Sequence, residues 1–168
     1  MHETTEDLNE LQELLDRSRA RGGSHLRSIF TKVTEMSAVD VVVELSGVQV
    51  LNLATVTASG APRVAPVDGL FYRGRFYFGS AHESVRFKHI RARPQVSAAH
   101  TRGEDLTVIV HGVAVEIDVS KPEQAGFRSY LLELYPEWES SYAGDPPPCA
   151  FIDAEKMFAA RVSRLREG

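Results

Sequence analysis

The chain has 168 residues and a net charge of −4, with 43% apolar and 25% charged residues; these proportions suit one folded domain with an appended arm and exclude a disordered chain. No apolar run approaches the roughly 18–20 residues that cross a bilayer, and the acidic opening stretch, residues 1–7, reads against a secretory signal. A single cysteine, Cys149, makes neither an internal disulfide nor a cysteine zinc cluster, so a cytoplasmic protein is expected.

Residues 6–20 carry Leu8, Leu11, Leu14 and Leu15 at helical spacing with charges on the other face, which predicts an amphipathic helix stopped by Arg21-Gly22-Gly23. Ser24 reads as the cap of a second helix through about Met36. Ser37 reads as the cap of a third that runs to Leu45 and ends at Gly47. From residue 48 the pattern turns to β. Strands are expected over 48–57, 63–72 and 76–79, with Ala58-Ser59-Gly60 and Arg73-Gly74 as the turns of a meander. A short helix over 83–92, ended before Pro94, interrupts them. Strands over 95–101 and 106–118 follow, joined by the polar turn Arg102-Gly103-Glu104-Asp105. Along the second, Val113, Val115 and Ile117 face one way and Ala114, Glu116 and Asp118 the other. Ser120 is expected to cap a helix over 121–135 with Pro122 in its first turn, and Pro136 to end it. Residues 139–148 form a proline-stiffened loop, and 149–153 and 157–163 a last pair of strand segments. The expected class is mainly β: a small antiparallel barrel of six or so strands, with N-terminal helices and one helix between late strands. Residues 1–37 read as a helical arm and 38–168 as the barrel domain.

The charge is unevenly spread. Residues 1–20 hold six acidic side chains against two basic ones, whereas residues 61–103 hold eight basic against two acidic. A local basic excess in an acidic protein asks for an anion. The overall acidity argues against a nucleic-acid surface, and a compact phosphate or small acidic ligand fits better. Within the basic stretch, residues 80–88 bring a hydroxyl (Ser80), a helix start near Ser84 and two cations (Arg86 and Lys88) close together. Free N–H groups and the helix dipole attract an anion there, and the cations add charge-assisted hydrogen bonds. The bland alternative is a solvated helix face made by Arg86, Lys88, Arg91 and Arg93.

The strands "LATV", "VAPV" and "FYFGS", followed by "AHESVRFKHIRARPQVSA", set a familiar order. With Ser84, Arg86, Lys88, Ile90, Pro94 and Val96 in place, residues 38–165 resemble the pyridoxamine 5′-phosphate oxidase-like, FMN-binding split-barrel proteins, including their deazaflavin-using branch. The resemblance implies a split-barrel homodimer that holds FMN or the deazaflavin F-420 between subunits and transfers hydride to or from a small-molecule substrate. It implies cofactor contacts from Arg63, Ala65, Pro66 and Val67, with Ser80, Ser84, Arg86, Lys88 and His89 completing the set. No catalytic side chain is assigned. The arrangement "LATVTASGAPRVAPV" looks more like the deazaflavin branch. Asp68 or Gly69 stands where pyridoxamine phosphate oxidases proper carry a lysine, and their Arg-Lys pair becomes Val85-Arg86, so oxidation of pyridoxamine phosphate itself is not expected. The alternative is a non-catalytic carrier of flavin, F-420 or haem with the same fold.

Other chemistries find less support. His82, His89, His100 and His111 show no metal-ligand spacing, and no Gly-x-Ser-x-Gly elbow is present. Cys149 reads as a buried, inert thiol. Trp138 and Tyr142 stand either as a lid over a partner subunit's cofactor or as packing on the preceding helix, and the leucine stripe of the first helix packs on the barrel or on a second subunit. Partners are expected to be a second copy and a small molecule, with no nucleic acid and no membrane.

Overall fold

A computed structural model describes residues 1–29, 34–142 and 144–162. Tight turns set its β order. After β1 (Val48–Val56) comes β2 (Pro62–Tyr72), and the Arg73-Gly74 turn, with both residues at positive φ (47° and 76°), sends the chain back as β3 (Arg75–Gly79). Helix α4 (Val85–Ala92) then leads to β4 (Gln95–Arg102) and the long β5 (Leu106–Ile117). The last strand, β6 (Cys149–Arg161), closes the sheet between β3 and β5, giving the antiparallel barrel β1-β2-β3-β6-β5-β4. Closure removes exposed edges from most of the sheet. One gap remains. β3 pairs with β2 only over Gly69–Tyr72, so residues 62–68 of β2 pair with β1 alone and their other side is open.

Strand alternation sorts the side chains into two cores. Leu51, Leu53, Phe71, Phe76, Phe78, Val108, Val110, Ile152 and Met157 fill the barrel interior. From the opposite face of β2 and β3, Leu70 and Tyr77 meet Phe127, Tyr130 and Leu131 of helix α5 (Ala125–Leu134) in a second cluster. On β5 the inward residues are Leu106, Val108, Val110 and Ala114. Val113, Val115 and Ile117 lie half-buried on the outside.

The N-terminal helices finish the barrel core. Helix α1 (Thr5–Ala20) starts with a Thr4–Asp7 capping box and buries Leu11, Leu14 and Leu15 in the barrel cluster. Its buried Ser18 hydroxyl donates to the Leu14 carbonyl at 2.6 Å and accepts the Met157 N–H at 3.0 Å. Helix α2 spans Ser24–Ile29, and α3 spans Ala38–Glu44 with a Ser37–Asp40 capping box.

Four local expectations are corrected. Residues 139–141 of the expected loop belong to a short helix, Trp138–Ser141. Met36 is not helical: Glu35 forms an isolated bridge with Ala160, and the Met36 N–H donates to the Ala159 carbonyl, while residues 30–33 of the expected second helix lie outside the described ones. Ser120 does not cap a helix, because Asp118 takes its hydroxyl at 2.6 Å. A 3-10 turn at Pro122–Gln124 opens α5 instead, without a side-chain cap. The last two strand segments are one continuous strand, β6, and Ser163 of the expected range lies outside the described residues. The register with β5 slips between His111 and Gly112, which leaves Glu155 without a partner residue. The polar interruption in the sequence is thus a β-bulge and not a strand break.

Candidate functional site

Helix α4 is anchored by buried Phe87 and Ile90, and Ser84 caps it by accepting the Arg86 N–H at 3.2 Å. Side chains two apart on a helix do not share a face, and Arg86 and Lys88 part accordingly. Arg86 turns into the open side of β2. Its Nη2 donates to the Pro66 carbonyl at 2.9 Å and its Nη1 to the Ser80 hydroxyl at 3.3 Å. Lys88 stays exposed, with Nζ 3.6 Å from Glu83 Oε2. The structure therefore brings Pro66, Ser80 and Arg86 together from β2, the end of β3 and α4.

The other expected residues take separate places. Arg63 is exposed and donates to the neighbouring Pro62 carbonyl. Ala65 is exposed opposite Leu53, whereas Val67 is half-buried opposite Leu51 and packs on the barrel core. His89 Nδ1 lies 3.0 Å from Oγ1 of the buried Thr55, a hydrogen bond that pins α4 to β1.

Half of the basic residues in this stretch are paired with carboxylates, three of them from elsewhere in the chain. Arg73 pairs with Asp7, Lys88 with Glu83, Arg91 with Glu116 and Arg102 with Glu44. Among the described residues Arg63, Arg75, Arg86 and Arg93 have no carboxylate partner. Burial pulls the Arg86 guanidinium below its usual pKa, the mark of a cation without a compensating charge.

A cleft of about 240 Å³ adjoins this point and shares Ser80 with it. It lies between the outer face of β2 and β3, helix α5, and the short helix α6 (Trp138–Ser141). Its walls include Tyr77, stacked on Phe127 at 4.1 Å, and Trp138, tilted against Tyr142 at 5.8 Å. Tyr135 donates its hydroxyl to Asp68 Oδ2 at 3.3 Å. Burial, with Asp68 beside it, raises the Tyr135 phenol above its usual pKa, so it stays a neutral donor. Cys149 lies at the cleft wall, buried, its thiol donating to the Pro147 carbonyl and pushed up to about 11 by burial. Sequence reasoning reached Trp138 and Tyr142 but missed Tyr77, Phe127, Tyr135 and Asp68 as a set. Trp138 packs on the α5 cluster. The recurrence of rings at 135, 138 and 142 was the available signal.

The remaining histidines serve locally: His100 bonds the Val50 carbonyl, His111 bonds Ser97, and His82 lies 3.5 Å from an Asp145 carboxylate oxygen. Among the described residues no three metal-ligating side chains converge, and no helix is long and apolar enough to cross a membrane.

Residues 40–158 match the family model described as pyridoxamine 5′-phosphate oxidase. The chain belongs to that split-barrel family. Solved structures with this split barrel include an FAD-binding protein from Mesorhizobium loti, at 21% identity and TM-score 0.58, covering 79% of this chain and all of that one. A haem storage protein from Vibrio cholerae shares 17% identity at TM-score 0.57, covering 67% of this chain and 86% of that one. A protein of unknown function from Agrobacterium tumefaciens shares 14% identity at TM-score 0.57, covering 68% of this chain; the chain spans about half, 52%, of that protein. At these identities the likeness is one of fold. No curated protein sequence matches the chain.

Proposed function

We propose that this split-barrel protein binds a flavin-type cofactor, FMN or F-420, by its negatively charged tail, and passes hydride between that cofactor and a small organic substrate. The observation that carries the reading is Arg86: a half-buried guanidinium with no carboxylate partner among the described residues, its fork fixed by Pro66 and Ser80. A fixed, partly desolvated guanidinium binds phosphate more strongly than a solvated one, because its orientation is already set. The donor set fits such a tail. Arg86 has N–H groups left over, the Ser80 hydroxyl is bonded to its guanidinium, and the Ser84 hydroxyl accepts its backbone N–H. His89 acts through Thr55 by holding α4 in place.

The barrel interior is filled by its own side chains, so a large cofactor lies outside it. The open, exposed start of β2 offers the backbone of Ala65 and Pro66 to a planar ring. A flavin or deazaflavin ring supplies the hydride chemistry when bound, while the protein supplies orientation and a dry cleft. We place a second copy of the chain against this strand: Val50 and Val64 lie on one outer face of β1 and β2 at 55% and 68% exposure, and covering them removes apolar surface from water.

Titration of the purified protein with FMN, F-420 and haem tests the reading: flavin or F-420 binding that is lost in Arg86→Ala supports it, and preferential haem binding overturns it. Oxidation of the reduced cofactor by enones or quinones then separates an oxidoreductase from a carrier.

A further inference from the structure

The cleft beside Arg86 carries the opposite electrostatic character. Its lining includes the aromatic residues Tyr77, Phe127, Tyr135, Trp138 and Tyr142 together with Asp68. Among the described residues no Lys, Arg or His lines it, so Asp68 is its one charged wall residue. Arg86 is bonded to the Pro66 carbonyl and the Ser80 hydroxyl and does not line the cleft. Aromatic faces are negative at their centres and attract cations, most strongly where water is excluded. The Tyr135 hydroxyl fixes the Asp68 carboxylate at the rim.

We propose that this cleft binds an organic cation: a small amine with a flat apolar body, its ammonium paired with Asp68 and its body against the rings. The volume of about 240 Å³ lies below the roughly 300–1,000 Å³ of drug-sized sites, which sets the ligand at one or two rings and leaves the larger cofactor outside the cleft. The assignment deepens the functional reading by naming a substrate class. It rests on that reading only for the chemistry that follows binding. Charge separation across Ser80 makes the two ligands compatible, with an anionic tail on the Arg86 side and an ammonium on the Asp68 side.

Trp138 is the one tryptophan in the sequence and lines the cleft, so its emission reports occupancy directly. The full chain, as purified and without added cofactor, is titrated with phenethylammonium, 2-phenylethanol and phenylacetate, three probes of matched size and different charge. We expect the ammonium to change Trp138 emission and bind about tenfold tighter than the alcohol, with phenylacetate weakest. Asp68→Asn, an exposed substitution that leaves the cores untouched, should bring the ammonium to the affinity of the alcohol. Equal binding of ammonium and alcohol, tightest binding by phenylacetate, no response to the ammonium at millimolar concentration, or an unchanged preference in Asp68→Asn overturns the proposal. A chain that takes no FMN or F-420 yet prefers the ammonium defeats the cofactor reading and leaves this one standing.

Discussion

Arg86 and Pro66 meet across the open side of β2, where the guanidinium Nη2 donates to the proline carbonyl at 2.9 Å. β3 has already turned away at this point, so the carbonyl has no ladder partner on that side. The contact gives the orphan acceptor a donor and aims a cation along the strand. Arg86→Ala should therefore lower cofactor affinity by about 10- to 100-fold, the range of one charge-assisted hydrogen bond at about 1.5–3 kcal/mol. Arg86→Lys keeps the charge but loses the fork, and should recover only part of the loss. Lys88→Ala, at an exposed position already paired with Glu83, should change affinity less than about threefold. Isothermal titration of the three variants checks the ranking; a Lys88 effect as large as that of Arg86 would move the anion site to the outer face of α4.

His89 predicts a stability effect. Thr55 is 4% exposed, and His89 is the hydrogen-bond partner of its hydroxyl. His89→Ala leaves that hydroxyl buried and unmatched, at a cost of about 1–3 kcal/mol. Thr55→Val in the same chain removes the stranded group, so the double variant should lose less than the sum of the singles. Urea unfolding of the four proteins measures the coupling, and additive losses would show that the pair does not interact.

The sequence announced local features whose causes are local. Gly74 specified its turn by tolerance of positive φ, Ser37 with Asp40 specified a capping box, and β-branched and apolar content in 48–57 and alternation in 106–118 marked strands. Expectations failed where a third group intervened. Asp118 captures the Ser120 hydroxyl, and Ala160 draws Glu35 into a bridge. Glu155 looks like a break only until Gly112 is seen opposite the bulge. The site divides in the same way. Ser80, Ser84 and Arg86 lie within one loop and one helical turn, so they were legible. The aromatic cleft draws on β2, β3, α5 and α6, and no local pattern joins Asp68 to Tyr135.

Gly112 is expected to be irreplaceable. A Cβ at this position would stand 2.1 Å from the Asp153 carbonyl oxygen, a backbone atom. Gly112→Ala must therefore shift β5 against β6 at the bulge. Overpacking of this kind costs about 1–3 kcal/mol or more, which thermal unfolding should show as a clear fall in Tm. A variant with the wild-type Tm would mean the bulge is free to rearrange.

Cys149 gives a pH dependence with a definite sign. Burial pushes its thiol from the usual 9.0 up to about 11, so the unfolded chain releases this proton first. Below about pH 9 both states keep the proton and the group contributes no slope. Between about 9 and 11 only the unfolded state loses it, so stability falls as pH rises, by an amount on the order of 2–3 kcal/mol. Cys149→Ala should flatten that slope while costing some packing, and urea midpoints from pH 8 to 10.5 compare the two proteins. The same protonation predicts slow alkylation of the folded thiol near neutral pH, since only thiolate reacts.

Val64 tests the proposed dimer. It lies 68% exposed in the open segment of β2, opposite the half-buried Ala54 and on the face that carries the exposed Val50, with Asn52, Pro66 and Asp68 between them. Placing a second copy over this face removes Val64 from water at about 25 cal/mol per Å² of apolar surface, and brings the partner against the strand that the cofactor ring is proposed to meet. Val64→Glu puts a charge into that contact without touching either core. Burying an unpaired carboxylate is costly enough to favour the monomer, so sedimentation should show the wild type as a dimer and the variant as a monomer at the same concentration. Cofactor affinity should fall with it, because half of the site would leave with the partner. A variant that becomes monomeric but binds FMN or F-420 as before would place the cofactor within one subunit.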